Sequence, residues 1–207
     1  MKNSCWFFGD SFTRGNGCHP DDDYFQLDYN KPKLRWTTKL SSELKLIERN
    51  TANGGESNIG IINSLINNLE SIKSNDIVII SDTRPVRIHN FNEAGERVNT
   101  INDPYFNYKQ GNSRYILDYI YHEILPKEEF YLNFYQNMVE KLLKELNRRK
   151  VRTYYWKHTD FWYPASKFET ITEATNGKTQ NLHWSWKGHE DMYKYILDKI
   201  TNNTSII

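Results

Sequence analysis

Cysteine is scarce: the chain has two, Cys5 and Cys18, too few for a disulfide framework to supply its stability. Cys5 is expected as a small buried apolar residue, and synthesis in a reducing, cytoplasmic compartment is the simplest expectation. Long apolar runs are missing as well. No stretch approaches the ~18 continuous apolar residues of a membrane span. The apolar part of Met1-Lys2-Asn3-Ser4-Cys5-Trp6-Phe7-Phe8 is too short for a secretory signal and reads as a first strand. No charge sign dominates. Lys and Arg number 27 against 26 Asp and Glu, with no long basic or acidic run, which argues against a nucleic-acid partner. The hydrophobic fraction is low at 38% while aromatics reach 14%, so tyrosines and tryptophans are expected to carry part of the core.

What is present is an alternation of short apolar runs and helical periodicities. Cys5–Phe8 is followed by loop chemistry from Gly9 to Pro20. A helix is expected over Leu34–Leu44 and a short strand over Leu46–Asn50. Ser57 is placed to cap a helix whose apolar positions are Ile59, Ile62, Ile66, Leu69 and Ile72. Ile77-Val78-Ile79-Ile80 is a continuous β-branched run, as in a strand covered on both faces. Residues 84–128 read as an irregular, tyrosine-rich insertion or cap with a helix near Arg114–Leu125. A long helix follows over Phe130–Lys150, with Phe134, Met138, Leu142 and Leu146 along one face. Val151–Trp156 is the next strand, and Lys187–Ile200 the last helix, with Met192, Ile196 and Ile200 facing inward. This order predicts one α/β domain over residues 1–207, a parallel sheet with helices on both faces. Ligand sites in such sheets lie beyond the carboxyl ends of the strands. Ser11, Gly55, residues 81–84 and the loop after Trp156 all fall there.

Gly9-Asp10-Ser11 ends the first strand in a turn that presents a hydroxyl. A serine hydroxyl becomes a useful nucleophile when an adjacent base takes its proton. His183, just before the last helix, is the candidate base. Each residue also has a plain structural reading, Ser11 as a helix cap and His183 as a packed ring. His183 and His189 lack the i, i+4 spacing of a helical zinc pair, so no metal is expected, and His189 reads as a packing or capping residue. Gly54-Gly55 is either a flexible turn or a place where a backbone N–H meets a developing oxyanion.

Taken together, three blocks resemble the SGNH/GDSL hydrolase superfamily. Gly9-Asp10-Ser11 resembles its nucleophile block, Asn50–Gly55 its oxyanion-glycine block, and His183-x-Ser185-x-x-Gly188-His189 its last block, Asp-x-x-His-Pro-x-x-x-Gly-His. The resemblance implies a three-layer α/β/α sandwich of the SGNH hydrolase or flavodoxin-like kind. Two positions depart from the pattern. The block that ordinarily supplies an oxyanion asparagine reads Ser81-Asp82-Thr83-Arg84-Pro85, leaving Thr83 or Arg84 as donors by type, although Arg84 also suits an ion pair. The acid position three residues before the histidine holds Gln180, so Gln180, Asp160 or a backbone carbonyl would orient the imidazole.

The resemblance implies ester hydrolysis through an acyl-enzyme on Ser11, with His183 as base, Ser11 and Gly55 N–H groups as the oxyanion hole, and no cofactor. Asp10, Arg84 and Trp184 are candidate substrate contacts. Tyr105, Phe106, Tyr108, Tyr115, Trp156, Trp162 and Trp184 are read either as sugar platforms or as core. The expected substrate is a small ester or an O-acetylated glycan. The second reading is a catalytically weak or inactive protein of this fold, a structural or glycan-binding component. Oligomerisation and association with a bacteriophage virion are among its expectations, the latter by analogy: the Asn-, Lys- and Ile-rich composition suggests an AT-rich genome, and small proteins of this type occur among bacteriophages.

Overall fold

The computed structural model describes residues 2–15, 35–83, 88–91, 97–101, 128–156, 168–170, 173 and 183–202. Strand β1 (Ser4–Phe8) runs into a short helix α1 (Ser11–Arg14), then come α2 (Trp36–Glu43), β2 (Ile47–Asn50), α3 (Asn58–Asn68) and β3 (Ile77–Ser81). After these follow β4 (Ile88–Phe91), β5 (Arg97–Ile101), α4 (Glu128–Arg148), β6 (Arg152–Trp156) and α5 (Trp186–Thr201). Strands β2, β1, β3 and β6 form one all-parallel sheet in that order. The first crossover therefore leads to one side of β1 and the next to its other side. Such a reversal opens a crevice beyond the carboxyl ends of the strands on either side of it, here β1 and β3.

Alternation along the strands divides the core into two layers, because successive side chains leave a strand on opposite faces. Cys5, Phe7, Ile77, Ile79, Tyr154 and Trp156 face α2 and α5, meeting Trp36, Leu40, Met192, Ile196 and Ile200. Trp6, Phe8, Val78, Ile80 and Tyr155 face α3 and α4, meeting Ile61, Ile62, Leu65, Tyr135, Val139 and Leu146. Every residue of β1 and β3 is buried. The result is a three-layer α/β/α sandwich in which aromatic rings fill much of the space, as the composition implied. Cys5 is fully buried on β1, where desolvation pushes its thiol well above the ordinary range. No helix among the described residues is long and apolar enough to cross a membrane.

Two expected helix faces are corrected in part, since Ile62, Ile72 and Leu146 are buried and Leu69, Met138 and Leu142 pack against the core as expected. On α3 the sheet-facing residues are Ile61, Ile62 and Leu65, while Ile59 and Ile66 stay exposed. On α4, Tyr135, Val139 and Leu146 are buried and Phe134 is half exposed. In both helices enough apolar residues surround the axis that periodicity alone admits more than one stripe. The sheet selects one of them. Part of the insertion expected to be irregular is an antiparallel hairpin, with Ile88 opposite Ile101 and a bulge at Asn90/Phe91. Its expected helix near 114–125 lies outside the described residues.

Candidate active site

The turn after β1 is tightly constrained. A Cβ on Gly9 would overlap Ser81 Oγ and Thr13 Oγ1. Those two hydroxyls lie 2.6 Å apart and tie α1 to the end of β3. Asp10 caps α1, its Oδ1 accepting the Phe12 N–H at 3.0 Å. Its Oδ2 accepts the Thr83 hydroxyl at 3.1 Å. Both oxygens serve the architecture, and Asp10 is 6% exposed. This corrects the expectation of Asp10 as a substrate contact: its carboxylate joins the β1 turn to the β3 turn.

Ser11 opens α1, and its Oγ lies 2.8 Å from His183 Nε2, across 172 residues of sequence. That distance lets the hydroxyl donate to the ring nitrogen. The Phe12 ring packs against the imidazole with centroids 5.1 Å apart. Trp36 Nε1 donates to the Phe12 carbonyl, fastening α1 to α2. The turn that carries Ser11 is thus braced by α2 and by the ring of His183.

The β2–α3 loop is sewn to the same region. Thr51 donates to the Phe7 carbonyl from both its N–H and its hydroxyl, each at 3.0 Å. The Asn53 N–H donates to the Gly9 carbonyl at 3.3 Å. Asn50 donates to the Thr13 carbonyl and to Thr37 Oγ1, so its amide holds the loop's entrance. Gly55 has φ of +68°, the left-handed region that glycine enters without a Cβ clash. The N–H groups of Ser11 and Gly55 have no acceptor among the described residues.

Thr83 is committed elsewhere. Its N–H donates to Asn58 Oδ1 at 2.7 Å, and its carbonyl accepts from Asn58 Nδ2 at 3.0 Å. With the hydroxyl on Asp10, both Thr83 donors are engaged inside the protein. This corrects its expected place among the oxyanion donors. Asn58 was not visible as a site residue in the sequence, where it reads as the first helical position after the Ser57 cap. Its amide reads both polar groups of one buried peptide residue, a job that tertiary contact alone assigns.

Trp184 is 1% exposed. It stacks on Trp156 at 6.0 Å and meets Phe12, Phe168 and His189 edge-on. Both Trp156 and Trp184 are therefore core, not sugar platforms. His189 is wholly buried against Trp184, as a packing residue. Arg84, Asp160 and Gln180 lie outside the described residues, as do Tyr105, Phe106, Tyr108, Tyr115 and Trp162. No group of three or more His, Cys, Asp or Glu among the described residues is arranged to hold a metal ion.

Asp82 and two tyrosines lie behind the site. Tyr155 donates to Asp82 Oδ2 at 2.9 Å. Burial, then the neighbouring Tyr135 and Asp82, pushes the Tyr155 phenol well above its ordinary range. Burial does the same to Tyr135, helped by the charge of Asp82.

No protein-family model matches the sequence, and no curated protein matches it. Solved structures do. One is a carbohydrate esterase whose active site displays divergent catalytic and non-catalytic binding functions. It shares 12% identity at a TM-score of 0.54, over 100% of this chain and 70% of that one. Another is an acetyl xylan esterase from the rumen bacterium Butyrivibrio proteoclasticus, at 13% identity and a TM-score of 0.52, over 97% of this chain and 64% of that one. The chain thus spans less than two thirds of that esterase's length. A member of the lipolytic G-D-S-L family from Veillonella parvula aligns at 14% identity and a TM-score of 0.43, over 96% and 98% of the two chains. The first two likenesses show a shared fold, a three-layer α/β/α sandwich.

Proposed function

We propose that this protein is a serine esterase acting through an acyl-enzyme on Ser11. The observation that carries the reading is the 2.8 Å approach of Ser11 Oγ to His183 Nε2 at the crevice between β1 and β3. In the proposed reaction Ser11 Oγ attacks an acyl carbonyl while His183 Nε2 takes its proton. The N–H groups of Ser11 and Gly55 hold the oxyanion of the tetrahedral intermediate. His183 then gives the proton to the departing alkoxide oxygen, leaving the acyl group on Ser11. Water, deprotonated by His183, attacks the acyl carbon, and the carboxylic acid leaves as the proton returns to Ser11. Two donors, rather than three, complete the hole from the described residues, since Thr83 is held by Asp10 and Asn58.

For substrate class, the reading is an O-acetyl group on a carbohydrate. Its support is the fold shared with a carbohydrate esterase and an acetyl xylan esterase. The proposal is tested by hydrolysis of p-nitrophenyl acetate by the wild type, Ser11→Ala and His183→Ala, each checked for folding by circular dichroism. Activity in the wild type and its loss in both variants, by at least ~10³-fold in kcat, is expected for a nucleophile and base acting as a unit. Release of acetate from acetylated xylan and other acetylated glycans then tests the substrate class. Equal turnover by wild type and Ser11→Ala would defeat the mechanism.

A further inference from the structure

We infer that Glu169 is a positioning residue for His183, acting through Ser185; the inference rests on the Ser11–His183 reading above. Ser185 caps α5, its Oγ accepting the Gly188 N–H at 3.2 Å. The same hydroxyl donates to Glu169 Oε1 at 2.6 Å, in the short range of a hydroxyl bound to a carboxylate. The Ser185 N–H donates to the Glu169 carbonyl at 2.9 Å. Next to it, Thr170 and Trp184 form an antiparallel bridge. Residues 169–170 therefore clamp residues 184–185 by backbone and side chain together, and His183 is the next residue back.

The clamp is itself held. Glu173 Oε2 accepts the Thr170 N–H at 2.7 Å and the Thr170 hydroxyl at 3.0 Å. On the other side α5 presses directly on it: a Cβ at Gly188 would come within 2.5 Å of the Glu169 carbonyl and 2.8 Å of Trp184 Cβ. Phe168 packs on Trp184, so the segment is anchored in the core as well. The resemblance places the residue that orients the imidazole three positions before it, where this chain has the uncharged Gln180. Glu169 fixes the backbone next to His183 by accepting hydrogen bonds from Ser185, without touching the reacting atoms.

The test compares wild type, Glu169→Ala, Glu169→Gln and Glu169→Asp in two measurements. One is the rate of Ser11 labelling by a fluorophosphonate; the other is the kcat and KM for p-nitrophenyl acetate across pH. Misplacing a catalytic group by about 1 Å can cost roughly a hundredfold. Glu169→Ala is expected to lower kcat and labelling roughly ten- to a hundredfold, with KM within about twofold. Glu169→Gln keeps an acceptor at the same reach and is expected to restore most of the rate with an unshifted pH profile. Glu169→Asp keeps the charge but shortens the reach, and is expected to behave like the alanine variant. It carries the test should Glu169→Ala fail to fold. Wild-type rates in folded Glu169→Ala or Glu169→Asp overturn the inference alone. A glutamine variant as slow as the aspartate variant overturns it too. A wild type that never labels at Ser11 removes the Ser–His reading and this inference with it.

Discussion

Gly9, Asp10 and Ser11 each do something different in the turn after β1. Gly9 leaves room for the Ser81 and Thr13 hydroxyls, Asp10 caps α1 and holds Thr83, and Ser11 meets His183. The β2–α3 loop depends on a single residue in the same way. Gly55 holds φ of +68°, where an L side chain is strained by about 1–2 kcal/mol. Gly55→Ala is therefore expected to lower stability by about that much in urea unfolding. If the strain turns the peptide away, kcat falls while KM changes little. An alanine variant with full kcat and this stability loss would show that the peptide keeps its conformation and the N–H its place despite the strain.

At the level of elements, α3 decides between two apolar stripes. Ile62 is 2% exposed against the sheet, whereas Ile66 is 46% exposed, though both belong to one expected face. Ile62→Ala is expected to cost about 2–4 kcal/mol, by lost burial plus the cavity left behind. Ile66→Ala is expected to stay within about 0.5 kcal/mol of wild type. Chemical denaturation of the two variants side by side checks this, and equal losses would contradict the orientation of α3. The Ser57 cap of this helix, by contrast, stands where the sequence placed it, its Oγ accepting the Gly60 N–H at 3.1 Å.

Across the molecule, strand order is what brings distant residues together. β1 lies inside the sheet with β2 on one side and β3 on the other, so the loops after all three converge at one end. The same end buries Tyr155, Tyr135 and Asp82. Burial raises both phenols above their ordinary pKa near 10. Folding therefore favours the protonated phenols: their contribution is whole below about pH 10 and is lost as pH rises above it. An alkaline titration is expected to show two groups of tyrosines. Exposed ones ionise first with the fold intact, and the buried pair ionises together with loss of the circular dichroism signal. Tyr155→Phe removes one of these phenols and its hydrogen bond to Asp82, so it is expected to be less stable at neutral pH. Its alkaline transition should also be less steep. Ionisation of all tyrosines in a single step before unfolding would contradict the buried cluster.

By itself the sequence determined the fold class, because strand and helix periods are local and their alternation leaves few ways to cover a parallel sheet. The apolar runs of β1 and β3, the Ser57 cap and the inward Met192, Ile196 and Ile200 of α5 are all of this kind. The Gly9-Asp10-Ser11 turn and the histidine before the last helix were also legible, each at the end of a recognisable element. Tertiary structure decided the rest. Which stripe of α3 and α4 faces inward depends on the sheet they meet. Trp184 belongs to the core because Trp156, Phe12 and Phe168 close around it. The Thr83 donors are engaged by partners 25 and 73 residues away. Asn58 and Glu169 act by hydrogen bonds to loops that no local pattern connects to them, and only the folded chain makes those partners neighbours.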